Sequence, residues 1–243
     1  MLKRLLFFGY GLTCYLIFLG TFLYAIAFVG GFFVPRRLDG PLDSSTGLAV
    51  VIDCALLTVF AVQHSIMARQ WFKRGWTRII PRPIERSTYV LLASACLILI
   101  FWQWRPMTGV VWEVHSGAGR TILLALCLLG WLTVLVCTFL IDHFDLFGLR
   151  QVTGYLLGRP YQPPHFVMPL VYRIVRHPLY LGFLFAFWAA PRMTYGHLLF
   201  SIATTGYILI AIQLEEQDLI GFHGDSYRKY REHTPMLVPF TKR

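Results

Sequence analysis

Two groups of residues in this chain have the types and spacing that chemistry requires. The first is Arg176-His177-Pro178-Leu179-Tyr180-Leu181-Gly182, which opens one hydrophobic run, with Glu215-Glu216 closing the next. Pro178 suits the first turn of a helix, where its missing N–H costs nothing, and a helix start leaves N–H groups and partial positive charge able to hold a carboxylate. Gly182 lets another backbone or a ligand approach closely. One carboxylate at a membrane boundary reads as a snorkelling surface charge, but two followed by Tyr227-Arg228-Lys229-Tyr230-Arg231 read as an opening that the tail folds back over. The second group is His143 with Asp142, Asp145 and Arg150. A histidine with its ordinary pKa near 6.5 can accept a proton around neutral pH, and the neighbouring carboxylates or Arg150 could orient it or a substrate. A structural imidazolium at the C-terminal end of a helix is the other reading.

What positions these groups is a membrane. The 243 residues are 56% hydrophobic and 14% charged, against about a quarter charged in an ordinary globular domain. A spanning helix needs about 20 mainly apolar residues, and the chain offers such runs at Leu5 to Phe33, Gly47 to Met67, Ser87 to Trp104 and Thr121 to Ile141. The first run is too long for a cleavable signal sequence and ends at Pro35-Arg36-Arg37 without a small-residue cleavage site. Two shorter runs, Leu179 to Ala190 and His197 to Leu214, are joined by a few residues and are predicted to form an antiparallel helical hairpin. The prediction is a single all-α polytopic membrane domain of five to six transmembrane helices. In it, residues 1–141 supply four membrane helices, 142–176 a connector, and 177–243 the hairpin and tail.

The net charge of +10 sits in short connections, as topology signals do, so nucleic acid is not an expected partner. The connection holding Arg69, Lys73, Arg74, Arg78, Arg82 and Arg86 against Glu85 is the most basic and is expected on the cytoplasmic side, with both termini and the polar groups above. Pro160, Pro163, Pro164 and Pro169 rule out one continuous helix between Asp142 and Val175, and Asp43 and Ser44 belong to a turn-rich stretch after the first helix. Trp102, Trp104 and Trp112 are expected as interfacial anchors, and Cys14, Cys54, Cys96, Cys127 and Cys137 as small buried hydrophobes with neither disulfide nor metal spacing. Asp53 and His64 lie within one apolar run, where a polar residue is a functional candidate by default, although Asp53 near the outer end could serve only as a cap. Tyr10 and Tyr15 in the first helix could line a pocket.

The ordered set RHPxYxG, hydrophobic hairpin, EE, YxxY and a proline-bearing end at Pro235 and Pro239 resembles the isoprenylcysteine carboxyl methyltransferase and phospholipid N-methyltransferase superfamily, over about residues 167–240. His64-Ser65-Ile66-Met67-Ala68-Arg69, Glu85-Arg86-Ser87-Thr88-Tyr89 and the segment from His143 to Gln151 look like the methanethiol S-methyltransferases of that group, which make dimethyl sulfide. The resemblance implies S-adenosylmethionine as methyl donor, with S-adenosylhomocysteine as product. It implies that Arg176, His177, Tyr180 and Gly182 lie beside the donor, that Glu215 and Glu216 bind its amino or hydroxyl groups, and that Tyr227 and Tyr230 belong to the tail covering it. A sulfonium needs carboxylates or aromatic faces, and an amino-acid carboxylate needs arginine or a helix start, which agrees with these residues. The acceptor implied is a small membrane-permeable thiol, handled by His143, Asp145 and Arg150, in a bacterial inner membrane. An isoprenylcysteine or phospholipid acceptor is the alternative. An NADPH-dependent reductase has a similar C-terminal pattern, but the short tail weighs against it, and an NnrU-like transport or haem-associated protein is the reading from another class. No inverted repeat supports transport, and no glycine fingerprint of a soluble nucleotide fold is present.

Overall fold

The computed structural model describes residues 1–41, 45–162, 168–239 and 241. Asp43, Ser44, Pro163 and Pro164 of the expected turns lie outside the described residues. In chain order the elements are α1 (Leu2–Gly30), α2 (Thr46–Ala68), α3 (Gln70–Trp76), α4 (Arg82–Gln103), β1 (Val110–Glu113), α5 (Gly117–Ile141), α6 (His143–Leu146) and α7 (Leu149–Leu156). A 3₁₀ turn follows at Leu170–Arg173, then α8 (Pro178–Trp188), β2 (Arg192–Thr194), α9 (Tyr195–His223) and α10 (Asp225–His233). Among the described residues five helices, α1, α2, α4, α5 and α9, are long and apolar enough to cross a membrane. The chain is an all-α polytopic membrane protein whose described strands form one two-stranded ribbon.

The helix ends follow local chemistry. Gly31 at φ +75° stops α1 and donates its N–H to Ala27 O at 2.9 Å, a conformation in which a Cβ is strained. Proline in the first turn lets α4 begin at Arg82, five residues before the apolar run does. Helix α9 runs 29 residues, about 43 Å at 1.5 Å per residue, against about 30 Å of hydrocarbon. The polar sequence from Glu215 onward is therefore the projecting end of a membrane helix rather than a tail beginning where the apolar run stops.

The chain folds as two compact units that cut across the sequence blocks: residues 1–109 with 142–163, and residues 110–141 with 164–243. In the first, α1 packs on α4 through Phe28, whose ring lies 5.0 Å from Phe101 and 6.3 Å from Trp104. Trp104 is not an interfacial anchor. It is 1% exposed and donates its indole N–H to Leu38 O at 3.2 Å, whereas Trp102 faces outward. Asp53 is fully buried, and its carboxylate accepts the Arg105 backbone N–H at 2.9 Å, capping the chain just beyond α4. His64 is bonded to Tyr89 Oη at 3.0 Å and stacked on Phe60, and Tyr10 bonds Thr88. Cys54 is exposed on α2, so not every cysteine is buried.

In the second unit α5 and α8 meet backbone to backbone. A Cβ at Gly130 would lie 2.6 Å from Gly182 O, and one at Gly182 would lie 2.8 Å from Gly130 O. Helix α8 has 11 residues, about 16 Å, too short to cross alone. The end of α8 and the extended residues after it run on antiparallel to α5 and the segment before it: Cys127 Sγ donates to Ala186 O, Trp112 Nε1 to Ala190 O, and Val114 N to Pro191 O at 2.8 Å, and β2 pairs with β1 just ahead of α5. Non-helical backbone at membrane depth is tolerable where protein covers it, and Ala189, Ala190 and Met193 are all buried. Helix and extended segment together traverse the length of α5, the geometric answer to a count of five or six.

Candidate functional site

In the second unit the mouth of the α8/α9 hairpin is built around a buried carboxylate. Glu216, four residues before α9 reaches Ile220 and well inside the helix, is 4% exposed. Its Oε1 accepts from Arg176 Nε at 2.7 Å and from His177 Nε2 at 3.1 Å. The Arg176 guanidinium also donates to Arg231 O at 3.0 Å and Thr234 O at 2.5 Å, and Arg231 Nη1 stands 3.7 Å from Glu216 Oε2. A buried ion pair is helped by further hydrogen bonds to its remaining atoms, and here two carbonyls at the C-terminal end of α10 take Nη1 of Arg176. The arginine is thus a clamp between α9 and the tail, with Nε and Nη1 bonded inside the protein.

The tail closes on the same place through its backbone. Arg176 N donates to Pro235 O at 2.8 Å and His177 N to Met236 O at 3.1 Å, a strand-like pairing across the start of α8. Tyr230 Oη donates to Tyr172 O at 2.5 Å. Tyr227 and Tyr230 are buried, and burial pushes both phenols up, Tyr230 to about 12, so they are neutral hydrogen-bonding and packing groups. Tyr180 lies 5.7 Å ring to ring from His177 and packs with Ile208, Ile212 and Leu237. Glu215 is the accessible member of the acidic pair: its side chain is 43% exposed, and Oε2 is 4.0 Å from His177 Nδ1. The first turn of α8 carries proline and no side-chain cap, since His177 points at Glu216. A helix start that favours anions beside a half-exposed carboxylate that favours cations fits a zwitterionic amino-acid group. Gly182 is not part of that pair, because the close approach it permits is taken by the α5 backbone at Gly130.

The first unit holds the other group. His143 is buried, with Nε2 3.0 Å from Tyr15 Oη and rings of Phe144 and Phe147 at 5.4 and 4.9 Å. Burial lowers its pKa below 6.5, so the imidazole is neutral at pH 7. Asp142 caps α6 by accepting from Asp145 N at 3.1 Å and pairs with Arg150. Asp145 accepts from Gln151 Nε2 at 3.3 Å and from Tyr161 Oη at 3.2 Å, and burial raises its carboxyl while the Tyr161 bond opposes the rise. Arg86 Nε donates to Leu146 O at 2.7 Å, which ties α4 to this loop. Helix pairing therefore brings His143, Asp145 and Arg150 together on one short stretch but sends Arg150 to Asp142 rather than to His143. Tyr15, a pocket candidate by sequence, bonds His143, whereas Tyr161 and Tyr172 join these groups with no local sequence signal to mark them.

Comparison with known proteins gives the chain's relatives. The chain is 57% identical to the methanethiol S-methyltransferase of Mycobacterium tuberculosis over all of this chain and 99% of that one. It is 53% identical to methanethiol S-methyltransferase 1 of Bradyrhizobium diazoefficiens, over 97% of this chain and 82% of the relative. Mouse Nurim is 30% identical over 77% of this chain and 74% of its own. No protein-family model matches, and no solved structure is a significant match. With a hairpin mouth built on Arg176, His177 and Glu216 and identity of 57% extending from end to end, the chain belongs to the methanethiol S-methyltransferase family.

Proposed function

We propose that this protein uses S-adenosylmethionine to methylate methanethiol, giving dimethyl sulfide, at the cytoplasmic face of a bacterial inner membrane. The observation that carries the reading is the buried Glu216, which fixes Arg176 and His177 and leaves the uncapped start of α8 beside the half-exposed Glu215. The names of the relatives supply the acceptor. When bound, the donor offers a methyl carbon on a sulfonium; the thiolate sulfur forms a bond to it, the carbon–sulfonium bond breaks, and S-adenosylhomocysteine is released. The residues hold the reactants. The α8 start takes the amino-acid carboxylate, Glu215 its ammonium, and Tyr180, Tyr227 and the tail exclude water. Positioning of this kind is worth about 7–11 kcal/mol of barrier. His143, neutral at pH 7, accepts the thiol proton, with Tyr15 holding its ring.

The test is direct. Detergent-purified protein given S-adenosylmethionine and methanethiol should release dimethyl sulfide into the headspace, and S-adenosylmethionine, not NADPH or haem, should raise its melting temperature. Absence of dimethyl sulfide from protein that binds the donor would move the acceptor to a lipid-linked one; a shift with NADPH or haem alone would end the methyltransferase reading.

A further inference from the structure

The 3₁₀ turn ahead of α8 carries a tyrosine whose hydroxyl has no part in the contacts above. Tyr172 stands in that turn, Leu170–Arg173, in the same compact unit as Glu215 and α5. Its backbone is pinned on both sides: the N–H donates to Pro169 O at 2.9 Å, and the carbonyl accepts from Tyr230 Oη at 2.5 Å. The hydroxyl is buried, faces the Cys137 thiol, and has no oxygen or nitrogen partner among the described residues. A phenol hydroxyl carries one proton and two acceptor lone pairs, and a thiol sulfur is a weak acceptor. With the proton turned to sulfur, both lone pairs are unspent in a place where polar atoms are ordinarily bonded.

The surroundings of that oxygen are electronegative. Burial is the largest influence on the Tyr172 phenol, and Cys137, Glu215 and Tyr230 push it the same way, well above the ordinary tyrosine range. It is therefore a neutral oxygen with a carboxylate nearby, and the same carboxylate also raises Tyr227. Such a place favours a cation. A sulfonium suits it, because a sulfonium has no N–H or O–H to give and its charge spreads onto the attached methyl, which meets an oxygen through C–H···O contacts. An ammonium, by contrast, is served by the Glu215 carboxylate itself.

We infer that Tyr172 is the residue that tells the charged methyl donor from its neutral product, its hydroxyl oxygen turned to the sulfonium centre of S-adenosylmethionine. The inference rests on the proposed use of that donor. S-adenosylhomocysteine has the same nucleoside and amino-acid ends, so the start of α8 and Glu215 hold both molecules alike, but its thioether is uncharged and lacks the methyl. The oxygen of Tyr172 adds affinity for the donor alone, and the product, without that contact, leaves more readily.

The experiment is a calorimetric titration of the detergent-purified full chain with S-adenosylmethionine, S-adenosylhomocysteine and sinefungin, in which a carbon-borne ammonium replaces the methylated sulfur. The parent should bind both cationic ligands more tightly than S-adenosylhomocysteine. Tyr172→Phe keeps the ring and both backbone bonds and removes only the hydroxyl. It should weaken S-adenosylmethionine about five-fold, the scale of one polar contact, leave S-adenosylhomocysteine unchanged, and deepen product inhibition by the same factor. An equal loss for all three ligands would make Tyr172 structural and overturn the inference, as would an unchanged affinity for S-adenosylmethionine. Tighter binding of S-adenosylhomocysteine than of either cationic ligand by the parent would overturn it without recourse to a variant. A parent that binds none of the three would end the proposed use of the donor, and the inference with it.

Discussion

At the scale of single residues, Glu215 and Glu216 are neighbours in sequence with different work to do. Glu216 is enclosed with Arg176 and His177, whereas Glu215 is half in water. Removing one partner of a buried pair leaves an uncompensated charge, a loss of about 3–5 kcal/mol. Glu216→Ala should therefore lower the melting temperature of the purified protein and donor binding together. Glu215→Ala should leave the melting temperature in place and weaken donor binding about ten-fold, the scale of one charge-assisted hydrogen bond. Equal melting losses in both variants would mean that the pair is structural throughout. His143 gives a second prediction. Its pKa is lowered by burial, so the unfolded chain takes up the proton first as pH falls below 6.5, and stability is lost from there down to the folded-state pKa. His143→Gln should flatten the fall in melting temperature between pH 6.5 and 5. In turnover, His143→Ala should lose most near neutral pH and recover as alkaline pH makes thiolate in solution; a uniform loss would make His143 a positioning residue. The site's residue types were legible because arginine, histidine and paired glutamates stand out against an apolar background. Their division of labour was not, because the acceptors that consume Arg176 are backbone carbonyls of Arg231 and Thr234, which no side chain advertises.

At the scale of elements, close packing of α5 on α8 is what places the start of α8. The glycines at the crossing are backbone contacts, with 2.6 to 2.8 Å left for any added Cβ, and in a membrane such approach replaces the hydrophobic drive between helices. Gly130→Leu or Gly182→Leu should abolish recovery of folded, monodisperse protein, and Gly182→Ala should reduce it. Gly206→Ala on α9, whose Cβ would meet nothing within 4 Å, should be neutral or slightly stabilising. If Gly182→Leu folds and loses only donor binding, the glycine faces the ligand after all. The long helices were legible because runs of 20 apolar residues have one interpretation in a bilayer. Helices α3, α6 and α10 were not, because segments of four to nine residues carry too little periodicity, and α9 outran its apolar stretch because Glu215, Glu216 and Gln217 are good helix formers. The tail is held by its backbone at Pro235 and Met236, so truncation after Asp218 should abolish activity by removing both that pairing and the carbonyls bound to Arg176.

At the scale of the whole molecule, the number of crossings decides on which side each terminus lies. Five long helices alone would put the two termini on opposite sides of the membrane. Counting α8 with its extended continuation to β2, which runs the length of α5, makes six crossings and returns both termini to one side. Charge favours six. On that count all but five of the 22 lysines and arginines, the exceptions being Arg36, Arg37, Arg105, Arg120 and Arg192, fall on the side of Lys3 and Arg4, and short loops rich in Lys and Arg stay in the cytoplasm. A five-crossing chain would place the basic end of α10, with Arg228, Lys229 and Arg231, outside with the proposed donor site, away from the cytoplasmic pool of a donor that carries charge. Fusions to a reporter that fluoresces only in the cytoplasm and to a phosphatase active only outside it should decide the matter. The fluorescent reporter should light when attached after Arg78 or at the C-terminus, and the phosphatase should be active after Gly40 or Ser116. Phosphatase activity at the C-terminus would restore five crossings and place the hairpin mouth on the outer face, where the proposed use of S-adenosylmethionine would have no donor to draw on.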